Sequence, residues 1–260
     1  MYYAGVDVGS ISTEAVVVDD SGKVAGIAVG FTGANSVGAA KNALEEAASQ
    51  AGTTTDELGM IVGTGYGRER VPFAHQSVTE ITCHARGAIT LFPSTRTVVD
   101  IGGQDSKAIK VGESGKVVNF QMNDKCAAGT GRFLEVMARA LEVELAEMGE
   151  LGILSDTKVS VSSVCTVFAE SEVVGLIHQG HDKKDIIKGI HSAVADRTRA
   201  LAGRVGIEPE VTMTGGVAKN MGVVKALEER IGHPLNLPED PQIVGALGAA
   251  LIARDRGTEE

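Results

Sequence analysis

The chain has 260 residues and a formal net charge of -10, with 43% hydrophobic and 22% charged residues. That balance fits one large globular domain or two medium ones and excludes a disordered chain. The surplus of acid, the absence of Trp and an aromatic content of only 3% exclude a nucleic-acid binder, which needs cations to displace counterions and rings on which bases stack. Met1 to Asp7 carry no basic segment of a signal peptide, and the longest apolar run, 243–253, holds two glycines and is too short to span a bilayer. Cys83, Cys126 and Cys165 are odd in number and form no C-x-x-C pair. The expectation is a cytoplasmic protein without a membrane partner and with reduced thiols.

In chain order, residues 3–8 form a β-rich run ending at Asp-x-Gly, and 15–18 return after a tight glycine turn. Ser21-Gly22-Lys23 makes a second hairpin turn into a third strand. Residues 36–50 carry Val37, Ala40, Leu44 and Ala47 at helical spacing. A β-like run then ends at Gly63-Thr64-Gly65-Tyr66-Gly67, and Phe92-Pro93-Ser94 marks a crossover. Strands follow at 97–101 and 108–111, and helices are expected at 132–148, 182–204, 218–231 and 243–254. Acidic stretches such as 142–150 read as exposed helix faces, and 255–260 as a solvated tail.

An internal repeat organises these elements. At an offset of 93, Asp7-Val8-Gly9-Ser10 falls on Asp100-Ile101-Gly102-Gly103, and Ser21-Gly22-Lys23-Val24 falls on Ser114-Gly115-Lys116-Val117. Two similar halves, 1–92 and 93–240, with a terminal helix at 241–260 returning to the first, place the two Asp-x-Gly loops across a cleft.

Glycine lets backbone approach a ligand closely, and successive N–H groups cradle phosphate oxygens. No G-x-x-x-x-G-K-[ST] occurs, so a Walker-type NTPase is excluded, and Gly63-x-Gly65-x-Gly67 lacks the spacing of a dinucleotide loop. Asp-x-Gly-Ser followed by Ser12 and Thr13, its repeat Asp-x-Gly-Gly, and the late Thr214-Gly215-Gly216 together resemble the actin, sugar-kinase and heat-shock-chaperone ATPase superfamily. The resemblance implies an α/β, duplicated actin/sugar-kinase-like (ribonuclease H-like) fold with an interdomain nucleotide cleft. It implies ATP held by Gly9, Ser10, Ser12 and Thr13 on one side and by Gly102 and Gly103 on the other, with Gly215, Gly216, Lys219 and Asn220 along the adenosine. Two carboxylates, Asp7 and Asp100, suit Mg²⁺ and its retained waters.

Two further stretches are more specific. Asn123-Asp124-Lys125-Cys126-Ala127-Ala128-Gly129-Thr130-Gly131-Arg132 and Ser162-Ser163-Val164-Cys165-Thr166-Val167-Phe168-Ala169-Glu170 are similar to the activators of 2-hydroxyacyl-CoA dehydratases, a family shared with the ATPase subunits of benzoyl-CoA reductase. The resemblance runs through the whole chain. It implies a homodimer holding one [4Fe–4S] cluster on Cys126 and Cys165 of each chain, since four thiolates are the usual complement. It implies ATP hydrolysis driving low-potential electrons to an iron–sulfur dehydratase or reductase, with ferredoxin or flavodoxin as donor. Gln104 is either the amide that orients the attacking water or a plain loop amide. Glu14 stands where related activators often carry Lys, which shifts the burden of phosphate neutralisation to Lys107 or Lys219. Cys83 reads as structural, and His178 and His181, three apart, as surface residues. Three alternatives stay open: a small-molecule kinase of the same superfamily, a nucleotide-gated binding module, and the ATPase partner of another reductase, such as benzoyl-CoA reductase or a double-cubane cluster protein.

Overall fold

The computed structural model describes residues 1–157, 159–162 and 165–258. Ser163 and Val164 of the second cysteine motif, and Glu259 and Glu260 of the acidic tail, lie outside the described residues. The opening strands are apolar on both faces, the pattern of a sheet covered on both sides. In β1 (Tyr2–Val8) and β2 (Ser12–Asp19), Ala4, Val6, Val8, Ala15 and Val17 pack on α1 (Ser36–Gln50), whose Ala40, Ala43, Leu44 and Ala47 are buried. Tyr3, Val16 and Val18 face the other way, onto α8 (Val244–Gly257). Helix α8 lies so close to β1 that a Cβ on Gly5 would meet the Ala246 carbonyl and the Ala250 amide.

Among the described residues the strands form two five-stranded sheets of one topology. The first runs β3-β2-β1-β4-β5, with β3 Val24–Phe31, β4 Leu58–Thr64 and β5 Gln76–Ser77. The second runs β8-β7-β6-β9-β10, with β6 Thr97–Ile101, β7 Ser106–Val111, β8 Val117–Asn123, β9 Val211–Thr214 and β10 Leu235–Asn236. Registers repeat too. Asp7 pairs with Glu14 and Thr64, and Asp100 pairs with Lys107 and Thr214.

One face of the second sheet packs on α3 (Gly131–Leu141), α4 (Met148–Ile153), α6 (Lys183–Gly203) and α7 (Met221–Ile231) around Phe133, Met137, Ile187 and Met213. Its other face packs on α2 (Glu80–Leu91) through Ile81, Ala85 and Ala88. Helix α2 also crosses α8, where glycines permit close contact: a Cβ on Gly87 would meet the Val244 carbonyl, and one on Gly248 the Cys83 carbonyl. This pair joins the two sheets. No helix among the described residues is long and apolar enough to cross a membrane.

The structure departs from the expected elements in three places. The helix expected at 132–148 breaks at Glu142, which adopts φ 53°, and the Val143 amide reaches back to the Ala138 carbonyl at 3.1 Å, a Schellman-type ending. Residues 142–147 are therefore a connection rather than a helix face. The helix expected at 218–231 starts later: Gly216–Lys219 is a 3₁₀ turn, and the Asn220 side chain caps α7 by accepting from the Val223 amide at 3.1 Å. Two helices, α2 and α5 (Thr166–His178), were not signalled by spacing.

Candidate functional site

The repeat brings two like loops to one cleft of about 790 Å³ between the sheets. In the first, the Gly9 amide donates to the Ser12 carbonyl at 2.9 Å; in the second, the Gly102 amide donates to the Asp105 carbonyl at 3.0 Å. A threonine–glycine pair backs each aspartate. Gly65 and Gly215 sit at φ 85° and 86°, and a Cβ on either would meet Asp7 Oδ1 or Asp100 Oδ1 respectively. The Thr214 hydroxyl donates to Asp100 at 2.8 Å, whereas no such bond joins Thr64 to Asp7 among the described residues.

Asp7, Gly9, Ser10, Ser12, Asp100, Gly102, Gly103, Gln104, Lys107, Gly215, Gly216, Lys219 and Asn220 all line the cleft. Thr13 does not. It is buried, and its hydroxyl is shared with Thr32 at 2.8 Å, because alternation along β2 turns it away from the side that carries Ser12 and Glu14. Cys126 and Cys165 lie outside this cleft as half-buried free thiols. Lys107 does not present a free ammonium to the cleft. Its Nζ is buried against Asp105 at 2.9 Å, Asp100 at 3.0 Å and Glu80 at 3.3 Å. Lys219 is the more exposed cation, paired with Asp240 at 3.1 Å and donating to Gln242 at 3.0 Å. The Gln242 amide in turn donates to Ser12 at 3.0 Å and Glu14 at 2.9 Å, tying the first loop to the start of α8.

The two aspartates differ electrostatically. Burial, reinforced by Glu14 and Glu80, pushes the Asp7 carboxyl well above the ordinary carboxylate range. Burial would also raise Asp100, but His84 and Lys107 beside it, with bonds from Thr214 and Lys107, hold it at about 2. Burial opposes the charge on Lys107, and its three carboxylates nevertheless hold it above the ordinary ammonium range. Burial lifts Glu14 to about 7. Burial likewise pushes the Cys83 thiol up to about 12, which makes it an inert core group.

Sequence reasoning missed Glu80 and His84 of α2 and Gln242 before α8. His84 stands between the aspartates, with Nδ1 3.5 Å from Asp100 and Nε2 3.9 Å from Asp7. The spacing of the missed residues carries no signal; the repeat shows only that Lys107 in the second copy aligns with Glu14 in the first, so that the two loops differ in charge. His178 and His181 are exposed, and the His178 ring pairs with the Val174 carbonyl at 2.8 Å.

Duplicated α/β units joined by a helix pair, each presenting an aspartate loop to one polar cleft, define an ATPase of the actin and sugar-kinase architecture. Residues 4–253 match the model of the BadF/BadG/BcrA/BcrD ATPase family, and the chain belongs to that family. It is 47% identical over 253 residues to the activator of lactoyl-CoA dehydratase from Anaerotignum propionicum, covering 97% of each chain. It superposes on the activator of 2-hydroxyisocaproyl-CoA dehydratase from Clostridium difficile with bound ADPNP at a TM-score of 0.95 and 42% identity, covering 100% of this chain and 96% of that one. A ROK family glucokinase from Streptomyces griseus, in complex with glucose and AMPPNP, shares the fold at a TM-score of 0.62 and 14% identity, covering 98% of this chain and 100% of that one.

Proposed function

We propose that this chain hydrolyses ATP to drive low-potential electrons into a 2-hydroxyacyl-CoA dehydratase or a related iron–sulfur reductase. In this reading Asp7 and Asp100 hold Mg²⁺ and its waters, the Gly9 and Gly102-Gly103 loops hold the phosphates, Gly215 and Gly216 lie along the adenosine with Lys219 and Asn220, and Gln104 orients the attacking water. The cleft fits such a ligand in its paired loops and its opposed carboxylates.

Cys126 and Cys165 fit half of a [4Fe–4S] site. The chain has only three cysteines and Cys83 is sealed in the core, so four thiolates require two chains. Cys165 is the N-cap of α5, and the exposed Val167 and Phe168 that follow it offer an apolar face to a second copy. Bound there, the cluster supplies a one-electron centre, with a ferredoxin or flavodoxin as its source of electrons.

The observation that carries the reading is the seat of α3. Its first two amides, of Gly131 and Arg132, donate to the Gly102 and Gly103 carbonyls at 2.9 and 2.8 Å. Asn123 meanwhile fixes the Cys126 carbonyl at 2.8 Å and the Thr130 hydroxyl fixes Ala127 at 2.6 Å. In this reading a shift of the phosphate loop passes to the Cys126 loop through these backbone and side-chain bonds.

The test is anaerobic purification with iron counted per chain, followed by an assay of ATP-dependent reduction of a 2-hydroxyacyl-CoA dehydratase. Brown protein with two irons per chain and ATP-dependent reduction are expected. A colourless protein that phosphorylates a small molecule would overturn the reading in favour of a kinase.

A further inference from the structure

We infer that His84 is a positioning residue for the metal–nucleotide site: mounted on the helix pair that joins the two halves, it sets the spacing of Asp7 and Asp100. This rests on the reading that those carboxylates hold Mg²⁺.

Three observations converge. First, His84 is buried, and its two ring nitrogens face the two aspartates, one from each sheet. Second, the ring orientation is fixed. The Thr214 hydroxyl gives its one hydrogen to Asp100 at 2.8 Å, so its contact with His84 Nδ1 at 3.2 Å is satisfied when Nδ1 carries a proton and donates. That leaves Nε2 directed at Asp7 Oδ2, 3.9 Å away. Third, the mount is rigid. Neighbouring Cys83 presents its carbonyl to Gly248, and Gly87, one turn on, packs against Val244, while Gly245 leaves room for both Asp7 and the His84 ring. A ring held from the helix crossing fixes the distance between carboxylates that belong to separate sheets, and a divalent ion with strict octahedral demands is sensitive to that distance.

The experiment titrates ADPNP into wild type, His84→Ala, His84→Asn and His84→Gln, with and without Mg²⁺, and records each Tm. Asn keeps a donor near the Nδ1 position and Gln one near Nε2, so the pair separates the two contacts. Expected is a Mg²⁺-dependent gain in ADPNP affinity reduced about tenfold in His84→Ala, unchanged affinity for metal-free ADPNP, and partial recovery in at least one amide variant. An undiminished Mg²⁺ gain in the variants, or an equal loss with and without Mg²⁺, would overturn the role of His84. A wild-type protein that gains nothing from Mg²⁺ would instead overturn the metal reading, and this inference with it.

Discussion

Replacing Lys107 with Met keeps the aliphatic stem in place and removes one charge from the floor of the cleft. The ammonium is 3% exposed and lies within 3.3 Å of Asp105, Asp100 and Glu80, so its loss leaves the buried Asp100 facing Glu80 and the half-buried Asp105 without a counter-charge. Removing one partner of a buried ion pair costs about 3–5 kcal/mol, a large share of the 5–15 kcal/mol that holds a typical domain folded. For a chain of this size that is a fall in Tm of roughly 10 °C. The pH dependence follows from the signs. Asp100, held at about 2, contributes stability above its unfolded value near 4 that is lost as the pH falls through 2; Lys107, raised, contributes below its unfolded value near 10 and is fully engaged at neutrality. The difference between wild type and Lys107→Met is therefore largest near pH 7 and narrows as the medium is acidified through the carboxylate range. Urea unfolding of both proteins from pH 7 to pH 3 measures it. A difference below about 1 kcal/mol at pH 7, the value of a surface pair, or one that widens in acid would refute the buried-network reasoning.

The two aspartates are expected to separate stability from catalysis. Asp7→Asn and Asp100→Asn each abolish Mg²⁺-dependent ATP hydrolysis, yet Asp7→Asn leaves Tm nearly unchanged or raised, because burial already disfavours that charge, while Asp100→Asn lowers it; wild-type turnover in either variant contradicts the assignment. His191 is buried, and burial holds it near 4, so stability present above its unfolded value near 6.5 declines as the pH falls from there toward 4, and His191→Gln should flatten that limb by about 3 kcal/mol in an acid-unfolding series. Gly215→Ala, at φ 86° with its Cβ directed at the Ile101 carbonyl, should cost more than about 1 kcal/mol and weaken ATP binding in calorimetry; unchanged binding would show that the Asp100 backing is dispensable.

The duplication was legible because turn chemistry constrains sequence strongly: Asp-x-Gly and Ser-Gly-Lys recur at one offset, and the strands between them follow. Helix α1 was legible to its last residue because alanines and Leu44 mark one stripe. The break at Glu142 was not, since a non-glycine residue in a left-handed turn carries no local signature. Helix α2 escaped because its buried side, shared between the second sheet and α8, is built largely from small residues (Cys83, Ala85, Gly87 and Ala88), with Glu80 and His84 looking like ordinary polar exceptions among them. Thr13 was misplaced for a simpler reason: hydroxyls adjacent in a strand point to opposite sides.

The proposed coupling between the phosphate loop and the Cys126 loop is tested most directly by the midpoint potential of the proposed cluster in the anaerobically prepared protein with Mg²⁺–ADP and with Mg²⁺–ADPNP. The bonds from Gly131 and Arg132 to Gly102 and Gly103 predict that the two nucleotides give different potentials, by about 130 mV if the coupling is about 3 kcal/mol, and that the difference collapses when Asp100 is replaced by Asn. Equal potentials in the two nucleotide states, with both nucleotides bound, would contradict it.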